Sequence, residues 1–177
     1  MKKTVTLSLA LLLLVGGGIQ LLHAQSKKQS SVKVLYFNPE IYPNFEEIQN
    51  PTYETFFSTV TNFRQGNYKI IRLNNLQEYD NPDPDILKEY CENNDAEYVV
   101  IPKIKYFKVG IGKLVLSNQV CVSMKLYNKE GELLSEVSHD TYKKNKRLLG
   151  SAENAIVKGT EGALKTLKQN LKKFKKQ

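Results

Sequence analysis

Apolar and polar residues change period several times along this chain, and each change marks an expected element. "SVKVLYFNP" at 31–39 is β-branched and aromatic and stops at Pro39, so it reads as a first strand. Pro39 to Gln49 reads as a loop. Asn50 before Pro51 is a helix start, an N-cap acceptor ahead of a residue whose missing N–H costs nothing at the first helical position. Tyr53, Phe56, Phe57, Val60 and Phe63 then recur at helical spacing, and Gly66 ends the run. "YKIIRL" at 68–73 is a second strand. Asp83 caps a second helix that opens at Pro84 and carries Ile86, Leu87, Tyr90 and Cys91 as its apolar stripe before the polar "ENND".

Tyr98 to Ile101 are four consecutive apolar residues, the pattern of a strand covered on both faces, with a bulge or break expected at Pro102. The functional face is therefore expected elsewhere. From Leu114 to Tyr127 the pattern changes to alternation. Leu114, Leu116, Val120, Val122, Met124 and Leu126 share one face, opposite Ser117, Gln119, Cys121, Ser123 and Lys125. "NKEG" turns the chain into a last strand whose Glu136, His139 and Asp140 guard a sheet edge as charged residues do. A terminal helix is expected from about Ser151 to Phe174. Two βαβ units argue for parallel pairing and the closing meander for an antiparallel member. The expected fold is α/β, a three-layer domain with a five-stranded mixed sheet in the order β-α-β-α-β-β-β-α.

"DAEYVVIPKI" and "VSMKLYNKEGELLSEVSHDTY" carry a resemblance within this order. Together they resemble the periplasmic domains of the curli secretion component, the TolB amino-terminal domain and the lipoprotein activators of penicillin-binding proteins. The likeness spans roughly Val34 to Leu171. It implies a three-layer domain used to bind other envelope proteins without catalysis. It carries no site residue, because the shared segments mark the fold. A lipoprotein cysteine and an extra pore-forming hairpin, found in members of those families, have no counterpart here.

Met1-Lys2-Lys3 precedes a mostly apolar stretch from Val5 to Val15, and "LHA" before Gln25 resembles a small-residue cleavage site, so residues 1–24 read as a signal peptide. A retained anchor is the alternative, but Gly16-Gly17-Gly18, Gln20 and His23 interrupt the run before a span of about 20 residues. A periplasmic or secreted location follows, after cleavage near Ala24 and without lipidation, since the first cysteine is Cys91. Residues 25–31 form a polar, flexible lead-in, and 32–177 are expected to make a single α/β domain.

Charge is unevenly placed: residues 143–177 hold eleven Lys or Arg against Glu153 and Glu161, whereas residues 25–142 hold thirteen against sixteen acids. On the terminal helix Ile156, Ala163, Leu164, Leu167, Leu171 and Phe174 gather on one side and Lys165, Lys168, Lys172 and Lys175 on the other, with Gly159 and Ala163 permitting close approach to the sheet. A solvated lysine face on a core-docked helix explains this. So does a basic patch for an acidic envelope protein, an anionic polymer or a membrane surface. Nucleic acid is disfavoured, for the aromatic interleaving of a stacking platform is missing.

Candidate chemistry is sparse. His139 and Asp140 are adjacent on a strand and point to opposite faces, so they make no dyad, and His139 reads as an exposed edge residue. "VGIGK" at 109–113 lacks the Ser/Thr and the following helix of a phosphate loop. Asp80, Asp83 and Asp85 read as a turn and a cap, interrupted as they are by Pro82 and Pro84. Cys91 and Cys121 are expected to remain free thiols. The sequence thus predicts a non-enzymatic exported domain that binds an envelope protein or polymer, with no catalytic residue, cofactor or metal. A small-ligand-binding or weakly hydrolytic domain, with a pocket near His139, is the alternative.

Overall fold

Pro39 divides the first strand in two. In the computed structural model, which describes residues 31–63, 66–108, 116–144 and 151–174, β1 (Val32–Asn38) and β2 (Glu40–Tyr42) run in turn beside the same parallel partner, β4 (Tyr98–Lys108). Tyr36 lies opposite Val100 and Glu40 opposite Lys103, so three residues, 37–39, face two, 101–102. The break expected at Pro102 thus falls in the neighbouring strand, where Pro39 also lacks a donor. β4 itself stays in register through Pro102, which pairs with Met124.

Helix α1 (Glu46–Asn62) begins four residues before the expected Asn50 cap, and Pro51 sits inside it. Glu46 and Glu47 in the first turn favour its positive end, and the added turn brings Ile48 against the core. Those gains offset the single i→i−4 bond that Pro51 cannot donate to the Glu47 carbonyl. The expected loop from Pro39 to Gln49 is accordingly replaced by β2 and the start of α1.

Beyond α1 come β3 (Tyr68–Leu76), α2 (Pro84–Asn94), β4, β5 (Leu116–Asn128), β6 (Leu133–Asp140), the short α3 (Thr141–Lys144) and α4 (Ala152–Phe174). Asp83 caps α2 by accepting from the Asp85 N–H at 2.9 Å, with Pro84 at the first helical position. The sheet order is β3-β1-β4-β5-β6, with β2 continuing β1 alongside β4. The β1–β3, β1–β4 and β2–β4 pairs are parallel and the β4–β5 and β5–β6 pairs antiparallel, giving the expected mixed sheet with, among the described residues, six strands in place of five.

Period 2 assigns the faces. Val34, Tyr36, Ile104, Val122 and Met124 point to one core with Phe56 and Val60 of α1 and Leu164 and Leu167 of α4. Leu35, Phe37, Val99 and Ile101 point to the other with Leu87 and Cys91 of α2. The three layers are therefore two helices, the sheet and one helix. Gly159 lets α4 settle on β5, since a Cβ there would lie 2.7 Å from Val122 Cγ2. At the β5–β6 turn Asn128 Oδ1 accepts from the N–H groups of Glu130 and Glu132, and Gly131 takes the left-handed conformation.

Candidate functional site

Helix α4 presents the residues singled out from the sequence. Ile156, Ala163, Leu164, Leu167 and Leu171 are buried, while Lys165 and Lys172 are exposed on the opposite side. Lys158, seven residues before Lys165, extends the same stripe and is also exposed. The three have no carboxylate within ion-pair distance among the described residues. Lys168 departs from the expected solvated row: it is half-buried, with its ammonium 5.9 Å from the centre of the Phe63 ring of α1. Lys175, Phe174's side chain and the segment 109–113 lie outside what is described, as does the expected signal peptide.

The sheet face under α2 is only partly covered. Val99, Val100 and Ile101 are fully buried as expected and Tyr98 is half-buried, but Lys103 and Lys105, further along the same strand, emerge on the α2 side beyond the helix. The quoted strand is thus core at one end and surface at the other, which period-2 reading missed because Pro102 and Ile104 continue the apolar row on the opposite face. Tyr79, from the loop after β3, lies across this surface between two lysines, with Lys103 Nζ 5.3 Å and Lys125 Nζ 4.7 Å from its ring centre. Its hydroxyl donates to Glu136 Oε1 at 3.0 Å, and its N–H donates to Glu40 Oε2 at 3.0 Å. Lys103 bridges Glu40 at 2.9 Å and Asp80 at 2.8 Å. Burial opposes the Lys103 charge, yet the hydrogen bonds to Asp80 and Glu40 prevail and raise its pKa, and the bond from Lys103 lowers that of Asp80. Burial, then the bond to Glu136, pushes the Tyr79 phenol well up. Lys103, Glu40 and Asp80 thus tie one another down. Asp80 and Asp83 are accounted for as an ion pair and a cap.

His139 is not the exposed edge residue expected. β6 is an edge strand, but His139 shares a face with Val137 and lies half-buried beneath α4, against Gly162. Asp140 points the other way, pairs across to Cys121 and accepts from the Tyr142 N–H at 2.8 Å. The two do not meet. Cys91 and Cys121 are both free thiols. Helix α2 does cover the β5 face that carries Cys121, but it packs at Tyr127. Six residues of strand, roughly 20 Å, separate that end from Cys121.

One concavity combines apolar walls with buried hydroxyls. It runs between α1 and the start of α4, encloses about 410 Å³, and is lined by Ile48, Pro51 and Ile156, with Tyr106 of β4 among the lining residues. Tyr106 Oη lies 2.6 Å from Thr52 Oγ1, which itself donates to the Ile48 carbonyl at 2.6 Å. Thr52 has one proton, so Tyr106 is the donor of the pair and keeps its lone pairs unused. Burial raises the Tyr106 pKa, so its phenol stays neutral. His139 does not line this groove. Periodicity placed the two walls on separate helices, and nothing in a single sequence says which helices adjoin. Among the described residues no helix is long and apolar enough to cross a membrane, and no cluster of His, Cys, Asp and Glu suits a metal.

Comparison with known proteins gives fold likeness at low identity. No protein family model matches the chain, and no curated protein matches it in sequence. Among solved structures, the PelC dodecamer from Paraburkholderia phytofirmans is 12% identical with a TM-score of 0.49, over 76% of this chain and 86% of that one. The LpoB C-terminal domain from Salmonella enterica is 15% identical with a TM-score of 0.41, over 70% and 90%. Lipoprotein GNA1162 from Neisseria meningitidis is 15% identical with a TM-score of 0.38, over 72% and 96%. Likenesses this distant say nothing of ligand or partner.

Proposed function

We propose that this protein is an exported, non-enzymatic domain of the bacterial envelope that binds an acidic protein or an anionic envelope polymer through the outer face of α4. One observation carries the reading. The inner face of α4 is consumed by the core, while Lys158, Lys165 and Lys172 form an exposed stripe without carboxylate partners among the described residues. Three like charges about 10 Å apart along one helix face make a positive field that draws in an external anion. Export and cleavage near Ala24 belong to the same proposal. So do residues 25–31 as a lead-in and 32–177 as the working domain, supported by the apolar stretch from Val5 to Val15.

The test uses the chain from Gln25, immobilised and challenged with envelope extract at about 0.1 M salt, where exposed charges still act over about 10 Å. A species retained by the native chain and lost from Lys158→Gln/Lys165→Gln/Lys172→Gln supports the reading. Equal retention on both removes α4 as the partner surface. A hydrolytic activity abolished by His139→Ala overturns the non-enzymatic assignment. A small-ligand-binding role is the second reading, favoured by the groove between α1 and α4.

A further inference from the structure

We propose that the groove between α1 and α4 binds a small organic cation with an apolar body, its ammonium group held by Glu47 and Glu153 and its hydrocarbon laid on Ile48, Pro51 and Ile156. The site is separate from the lysine stripe, and the inference stands or falls without it.

Charge comes first. Glu47 and Glu54 belong to the α1 wall and Glu153 to the α4 wall, and among the described residues no Lys, Arg or His lines the groove. Glu54 is already paired with Arg72 at 3.2 Å, whereas Glu47 and Glu153 are exposed and have no cation within ion-pair distance among the described residues. In a chain of net charge +8, this is a local acidic site flanking an apolar hollow.

Hydrogen-bond polarity points the same way. Tyr106 spends its proton on Thr52, and Thr52 spends its own on the Ile48 carbonyl, so the Tyr106 oxygen is left as an acceptor. Both hydroxyl-bearing residues are buried, Thr52 at 1% and Tyr106 at 4% exposure. The Glu47 carbonyl adds another acceptor, because Pro51 has no N–H with which to close the helical bond. The groove therefore offers carboxylates, a phenol oxygen and a carbonyl. An anion would meet like charge at Glu47, Glu54 and Glu153, whereas an ammonium group supplies the protons that these acceptors lack. The volume, about 410 Å³, lies in the range of roughly 300–1,000 Å³ typical of small-molecule sites.

The experiment titrates 2-(2-naphthyl)ethylammonium, and separately 2-naphthylacetate as the matched anion, into the full chain while following amide and side-chain resonances. The expected result is saturable binding of the cation with shifts confined to residues around Thr52, Tyr106 and Ile156, and at least about tenfold weaker binding of the anion. Glu47→Gln/Glu153→Gln, at two exposed positions that leave the fold intact, should weaken the cation about five- to tenfold. Lys165→Gln/Lys172→Gln should not change it. Equal affinity for cation and anion, shifts outside the groove, no saturation, or affinity unaltered in the Glu47/Glu153 variant would each overturn the proposal.

Discussion

The ring of His139 occupies the space that a side chain at Gly162 would need: a Cβ on this glycine would overlap the imidazole. β6 and α4 are drawn together at this contact, which turns an edge-strand histidine into a packed one. An alanine in the interior of a helix ordinarily stabilises by about 1 kcal/mol relative to glycine. Here the sign should reverse. Gly162→Ala is expected to destabilise the domain by about 1–3 kcal/mol through overpacking, measured by urea unfolding. Adding His139→Ala should return much of that loss, so that the double variant is non-additive. A stabilised single variant would show that the helix can retreat at no expense.

Alkaline pH should unfold this protein through its buried acids. Burial first, then the Glu130 and Glu92 charges, raises the Cys91 thiol from its ordinary 9.0 to about 11. Between those values the unfolded chain loses the thiol proton and the folded chain keeps it. Stability is therefore fully present below about pH 9 and falls as pH rises, by up to about 1.4 kcal/mol per pH unit. Tyr53, Tyr79, Tyr106 and Tyr127 are raised in the same direction by burial and add to the loss above pH 10. Cys91→Val should flatten the slope of stability between pH 9 and 10. An identical slope would place the alkaline transition on the tyrosines alone. Two thiols should titrate after denaturation, with or without reductant.

Tyr79 is the clasp that closes the α2 side of the sheet. It is 4% exposed, lies between Lys103 and Lys125, and reaches β6 through Glu136. Tyr79→Phe removes only the hydroxyl and should cost about 0.5–1.5 kcal/mol. Tyr79→Ala removes the ring on which both lysines rest and should cost about 3–5 kcal/mol. Denaturant midpoints separate the two. Equal effects would mean that the hydroxyl bond, and not the ring, fixes the loop.

The elements that rest on local chemistry were readable in the sequence. Asp83 before Pro84 set the start of α2, strict alternation from Val120 to Leu126 set the inward face of β5, and Gly159 and Ala163 announced the close docking of α4. What escaped depended on neighbours. The Asn50-Pro51 pair is a sound cap signal, overridden because one more helical turn brings Ile48 to the core. β2 is too short to signal by itself, and it exists because β4 offers Lys103 to Lys105 as a template. The surface around Lys103 and Tyr79, the burial of His139 and the groove at Tyr106 all arise where separate segments meet, and no period along one segment encodes such a meeting.

The final prediction separates packing from recognition on α4. Leu167 is 2% exposed within the main core, so Leu167→Ala should cost roughly 2–5 kcal/mol. Lys165→Gln and Lys172→Gln remove solvated charges without ion-pair partners among the described residues, and each should change stability by less than about 0.5 kcal/mol. Lys168→Gln should lie between these extremes, near 0.5–1 kcal/mol, because its ammonium sits over the Phe63 ring. If the lysine stripe is the partner surface, Lys165→Gln/Lys172→Gln will fold with an unchanged midpoint yet bind an anionic polymer such as polyglutamate more weakly and with a shallower dependence on salt. The chain would then use one side of the helix for stability and the other for binding. If polyglutamate binds both forms alike, the partner surface passes to the open sheet around Lys105, where Tyr42 is 51% exposed and its ring centre lies 5.8 Å from the Lys105 ammonium.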